Sequence, residues 1–138
     1  MCNGVATVMK RRSPTTRVVA VAAAGASAMV ESWQSGRLVE HERTDTIADG
    51  LATRSPIPEA LADMKELIDD ALLVADGSMI IGMRLLHSHA GLVAEPSAAA
   101  GIAAILENPG RFRGSDVGTI ICGGNVAEDQ MRRWLAMG

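Results

Sequence analysis

The chain has 138 residues, the length of one domain, and with 48% hydrophobic and 21% charged residues it is too apolar to stay disordered. Lys and Arg number 13 against 16 Asp and Glu, so no basic surplus exists for binding nucleic acid through counterion release. Aromatic content of 2% leaves no base-stacking platform, and the longest apolar run, residues 18–30, is broken by Gly25 and Ser27 and falls short of the ~20 residues of a membrane span. No basic segment leads into an apolar one as in a secretory signal, and Cys2 and Cys122 are too few for a disulfide framework. The expectation is a cytoplasmic protein that engages neither nucleic acid nor membrane.

Val5, Val8 and Met9 mark one face of a first helix that ends at Lys10-Arg11-Arg12 and is stopped by Ser13-Pro14. Residues 17–22 (RVVAVA) read as a buried strand, with Gly25 as the turn after it and a short helix over 26–33. Residues 36–52 read mostly as loop. Pro58 suits the first turn of a helix whose apolar face is Leu61, Met64 and Ile68 and which closes at Asp69-Asp70.

A second strand is predicted over 71–75, a turn at Asp76-Gly77, and a helix from Ser78 to Ala90 with Met79, Met83, Leu86 and Ala90 on one face. Leu92-Val93 is a candidate brief strand. Pro96 opens a helix whose body, 98–106, is nearly all small or apolar and suits close packing against other backbone. Asn108-Pro109-Gly110 ends it. Residues 117–122 (VGTIIC) read as a third, central strand, and Gly123-Gly124-Asn125 lead to a last helix over 127–137 with Met131, Trp134 and Leu135 inward. Strands separated by helices of this length imply an α/β fold, a mainly parallel sheet flanked by helices.

Ligands of such sheets bind beyond the carboxyl ends of the strands. Cys122-Gly123-Gly124 sits there, but spacing alone favours a tight turn into a capped helix beside an inert thiol. Glu95, ahead of Pro96 and Ser97, could equally satisfy first-turn N–H groups with no ligand. Asp49-Gly50 alone is a turn. His87 and His89 are two apart on a helix and do not share a face; with His41 they read as surface residues, and Lys10 and Lys65 read as solvated. No G-x-S-x-G, G-x-G-x-x-G or phosphate-loop motif is present.

The ordered set TIADGLATRSPIPEAL (46–61), LLVADGSMIIGMRLL (72–86), AGLVAEPSAAAGIAAIL (90–106) and TIICGGN (119–125) closely resembles the C-terminal half of threonine dehydratases. These enzymes, with serine dehydratases and serine racemases, use pyridoxal phosphate and share the tryptophan-synthase-β fold type. VATVMK (5–10) looks like the helix that follows the family's phosphate loop. The resemblance spans essentially all of residues 1–138, which would form the C-terminal half of a catalytic domain within that larger fold. It implies that Cys122 faces the pyridine nitrogen of the cofactor, that Gly123 continues the same wall, that Gly50 lies beside substrate and cofactor, and that Glu95 lies near the ring edge. Ala98 stands where a glycine is common, and Ala22 and Ala28 stand at the acidic positions of the serine racemase metal site.

The family's S-x-K-x-R-G lysine motif, its asparagine loop and its poly-glycine phosphate loop have no match in the chain. The expectation is therefore part of an enzyme that dehydrates L-serine or L-threonine to a 2-oxo acid and ammonia, with no catalytic residue of its own and inactive alone. Such a half would associate with the missing N-terminal half or with itself. The alternatives are a degenerate, non-catalytic homologue that binds a partner or small ligand, and an independent flavodoxin-like binding domain, which leaves the ordered motifs unexplained.

Overall fold

In the computed structural model, which describes residues 1–135, two parallel strands lie between helices on both sides. Helix α1 spans Cys2–Arg12, strand β1 Val19–Ala23, α2 Ala28–Ser35, α3 Pro58–Leu67, β2 Asp70–Val74, α4 Asp76–Ala90, α5 Ala100–Glu107, α6 Pro109–Phe112 and α7 Glu128–Leu135. β1 and β2 pair in register from Val19 opposite Asp70 to Ala23 opposite Val74. The α/β class and parallel pairing are as the alternating pattern predicts.

One face of the sheet packs on α4 and α5 through Ala23, Leu72, Val74, Met79, Ala100, Ala103 and Ala104. Alanine dominates because a methyl group keeps the helix backbone close to the sheet. The opposite face meets α1, α2 and α3 through Ala6, Ala20, Val30, Met64, Ile68 and Ala71. A third cluster, Met83, Ala99, Trp134 and Leu135, fixes α7 against α4, and the Arg84 Nε donates to the Trp134 carbonyl at 2.7 Å. Met79 and Met83 are fully buried on the expected face of α4, whereas Ala90 at its end is exposed.

Several local expectations need correction. Residues 117–122 and Leu92-Val93 are not strands. A strand exists through its hydrogen-bonding neighbour, and neither segment has one among the described residues; Val117 and Ile120 stand 44% and 51% exposed. Asp76-Gly77 is the first turn of α4 rather than a turn before it, because the Asp76 carboxylate is engaged by a distant loop. Val8 is exposed and Ala6 is the buried residue of α1. Asp70 opens β2 instead of closing α3. Pro96 begins a 3₁₀ turn, Pro96–Ala99, ahead of α5, and Pro109 begins α6 where only a stop was expected. Met131 is more exposed than Trp134 and Leu135, and the last expected helical residues, Ala136 and Met137, lie outside the described residues.

Charge closes the amino end of the sheet. Lys10 Nζ donates to both Asp69 carboxylate oxygens at 2.8 and 2.7 Å, and the Val18 N–H donates to Asp69 Oδ2 at 2.6 Å. Lys10 is thus ion-paired rather than freely solvated. These contacts hold the Asp69 carboxyl below its ordinary value, Lys10 first and the Val18 amide second. Asp70 pairs with Arg111 and lies 3.8 Å from Arg17. His41, read as a surface residue, is partly buried and contacts Glu31 at 3.2 Å, and Ser27 also donates to Glu31.

Candidate functional site

Beyond the carboxyl ends of β1 and β2 the chain builds a surface from three separated segments. After β1, Gly25 accepts a hydrogen bond at its carbonyl from the Asp45 amide at 2.8 Å, and a side chain at Gly25 would occupy the Asp45 carbonyl. That close approach brings the long loop after α2 back over the sheet. Thr46 Oγ1 then donates to Asp76 Oδ1 at 2.6 Å, and the Ile47 N–H donates to Asp76 Oδ2 at 2.9 Å. Ala48 enters the core, and a 3₁₀ turn, Asp49–Leu51, leaves Gly50 at the surface.

Gly50 meets the second segment. A Cβ on Gly50 would lie 2.7 Å from Ser97 Oγ and 3.4 Å from Glu95 Oε1. Glu95 is half-buried, its Oε1 accepts the Ser97 hydroxyl at 2.6 Å, and its amide donates to the Gly123 carbonyl at 3.2 Å. Gly123, in the third segment, has φ of 94° and a missing side chain whose place the Glu95 carboxylate takes. Only glycine suits both conditions. Cys122, half-buried, precedes it, and Gly124 passes close to the Val93 carbonyl.

Gly50, Glu95 and Gly123, far apart in sequence, therefore converge on one spot, with Cys122 joined to it through the chain. Spacing had favoured turns and caps for each one separately. Ser97 is at the centre of the cluster although the sequence singles out only its neighbour Glu95; its signal was the rigid Glu95-Pro96-Ser97 step, in which the proline ring fixes the turn. Asp76 carried a misleading local signal, since Asp-Gly reads as a turn.

On the other side of Gly50 opens a cleft of about 380 Å³, lined by Met1, Cys2, Asn3, Val21, Leu51 and Thr53 among others. Helix α1 points its amino end into it. The first-turn amides there have no acceptor within the helix, which makes a helix start receptive to anions. Cys2 lies in this wall, and burial pushes its thiol up. Neither lysine reaches this region by its contacts: Lys10 lies eight residues along α1, roughly 12 Å away, in its pair with Asp69, and Lys65 donates to the Gly36 carbonyl.

Comparison with known proteins matches residues 1–123 to the family described as pyridoxal-phosphate dependent enzyme. The chain belongs to that family, whose characteristic cofactor is pyridoxal phosphate. It is 33% identical over 125 residues to the biosynthetic L-threonine dehydratase of Bacillus subtilis, covering 91% of this chain and 30% of that protein. The beta-hydroxyaspartate dehydratase of Paracoccus denitrificans is 31% identical over 132 residues, covering 95% of this chain and 41% of the relative. Among solved structures, the processed form of threonine deaminase isoform 2 from Solanum lycopersicum superposes with a TM-score of 0.87 at 27% identity, over 96% of this chain and 37% of that one. Maize serine racemase gives 0.85 at 29% identity, over 95% and 41%. The chain spans less than half the length of each of these proteins. Among the described residues no helix is long and apolar enough to cross a membrane.

Proposed function

We propose that this chain forms one wall of the cofactor site of a dehydratase that converts L-threonine or L-serine to a 2-oxo acid and ammonia. Residues 1–138 would be the C-terminal half of the catalytic domain, working in the cytoplasm. The observation that carries the reading is the convergence of Gly50, Glu95 and Gly123 at the strand ends, at the positions the family resemblance assigns to the cofactor.

The residues suit pyridoxal phosphate on one side. A flat ring needs a wall without bulky side chains; Gly124 beside Cys122 provides bare backbone, and at Gly123 the Glu95 carboxylate takes the side-chain position. The amino end of α1 supplies amide donors of the kind that hold a phosphate. When bound, the cofactor supplies the electron-withdrawing ring that makes an amino acid's α-proton acidic. Cys122 would face the ring nitrogen with a thiol, a weak hydrogen-bonding group that fixes no proton there as a carboxylate would. Glu95 would offer an acceptor at the ring edge, and Gly50 would let the substrate approach backbone. The substrate loses its α-proton and β-hydroxyl as water, and hydrolysis of the product releases ammonia.

In this reading the amine comes from other polypeptide. Lys10 pairs with Asp69 and Lys65 donates to the Gly36 carbonyl, so the contacts of both amines lie away from the strand-end site. We therefore expect the chain alone to be inactive and to act with the polypeptide that carries the family's lysine.

A chimera tests this. Residues 1–123 replace the matching segment of the Bacillus subtilis dehydratase, and release of 2-oxo acid from threonine and serine is assayed with pyridoxal phosphate. Activity in the chimera, its loss on Cys122→Asp, and none in the chain alone are expected. A chimera that folds by circular dichroism yet stays inert would instead favour a non-catalytic homologue.

A further inference from the structure

We propose that Ser97 is a positioning residue that acts through Glu95, fixing the orientation in which the carboxylate faces the cofactor ring. This rests on the placement of Glu95 proposed above. The Ser97 hydroxyl donates to Glu95 Oε1 at 2.6 Å, the length of a charge-assisted O–H···O⁻ bond. Among the described residues Oε1 accepts the Ser97 hydroxyl, the one side-chain donor that the Glu95 carboxylate has.

The contact is built rather than incidental. Glu95 is extended, with φ of −73° and ψ of 162°, and Pro96, buried, locks the next step. The Ala98 amide returns to the Glu95 carbonyl at 3.0 Å, closing a turn that aims the Ser97 hydroxyl back at the carboxylate. Gly50 covers Ser97 from one side, and Gly123 receives the carboxylate on another. With the backbone held at both ends and the carboxylate seated against Gly123, the Ser97 hydroxyl supplies the contact that orients the carboxylate. Oε2 then remains as the acceptor for a donor on the ring edge.

Two readouts on the purified chain test this. The first needs no ligand: the Glu95 side-chain carboxyl carbon, followed by NMR, shifts on Ser97→Ala and returns towards the unsubstituted position in Ser97→Thr, which keeps the hydroxyl. The second uses pyridoxine 5′-phosphate, which has no aldehyde and needs no lysine, followed by its own ring fluorescence. Ser97→Ala weakens its binding roughly threefold to tenfold, the worth of one hydrogen bond, and shifts its emission, whereas Ser97→Thr restores both. An unmoved Glu95 signal in a folded Ser97→Ala chain overturns the positioning role. A moved signal with unchanged binding and emission supports the fixed carboxylate and overturns its use towards the ring. If the unsubstituted chain does not bind the probe, the ring contact falls with the cofactor-wall reading, and the NMR result decides the Ser97–Glu95 contact by itself.

Discussion

Thr46 and Asp76 are joined across 30 residues: the threonine hydroxyl donates to Asp76 Oδ1 at 2.6 Å while the Ile47 amide occupies Oδ2. The same Thr46 oxygen accepts from the Ala48 amide at 3.1 Å. One carboxylate in the first turn of α4 thus pins the loop that carries Gly50, and its charge also complements the helix dipole.

Replacing Asp76 by Ala strands a hydroxyl and an amide, each partly buried. The expected cost is about 1–3 kcal/mol of unfolding free energy, measured by urea denaturation. Amide hydrogen exchange at Ile47 and Ala48 should speed up more than at β2. Asp76→Asn, which keeps an acceptor, should lose less.

Gly123→Ala forces a methyl group into the Glu95 carboxylate at a φ that L-residues avoid. We expect a loss of about 1–3 kcal/mol. Gly118→Ala, where nothing lies within 4 Å of the added carbon, is the control and should change little. Equal effects at the two positions would contradict the packing described around Glu95.

Asp69 and Glu31 contribute to the acid limb of stability. Asp69 is held below its ordinary value by Lys10 and the Val18 amide, and Glu31 by the Ser27 hydroxyl and His41. Between the lowered folded value and the unfolded one the unfolded chain binds more protons, so stability falls as pH falls. These contributions are complete above the ordinary carboxylate range and are lost as the pH drops below about 4. In Lys10→Met the acid limb should flatten, read from chemical unfolding at a series of pH values.

Leu92, Val93, Val117, Ile120 and Ile121 are exposed along segments without strand partners among the described residues. Exposed apolar edges invite association. Light scattering should show mass rising with concentration, and Ile120→Lys should reduce it. A monodisperse monomer at all concentrations would contradict the expectation that this surface is covered by further polypeptide.

Sequence pattern carried the helices and the two strands well, because their signals are local. Met79 and Met83 sit four apart on α4, and Leu61, Met64 and Ile68 trace α3; each set is buried. The apolar run at 117–122 carried the same local signal, but strand formation depends on a neighbour that no local pattern contains. Asp76 misled for a related reason, since its partners lie in another loop. At the site, Gly50, Glu95 and Gly123 were legible only through the order of the motifs; singly, each looked like a turn or a cap. Ser97 was legible only as part of the Glu95-Pro96-Ser97 step, because its contribution lies in where one hydroxyl points.

The most direct measurement is a pyridoxal phosphate titration of the purified chain, followed by borohydride reduction and peptide mass mapping. The expected result, if the chain forms one wall of the site as proposed, is no new absorption band attributable to a bound imine and no labelled lysine. Stoichiometric labelling of Lys10 or Lys65 would contradict it, and would make a residue now tied to Asp69 or to the Gly36 carbonyl the covalent anchor of the cofactor.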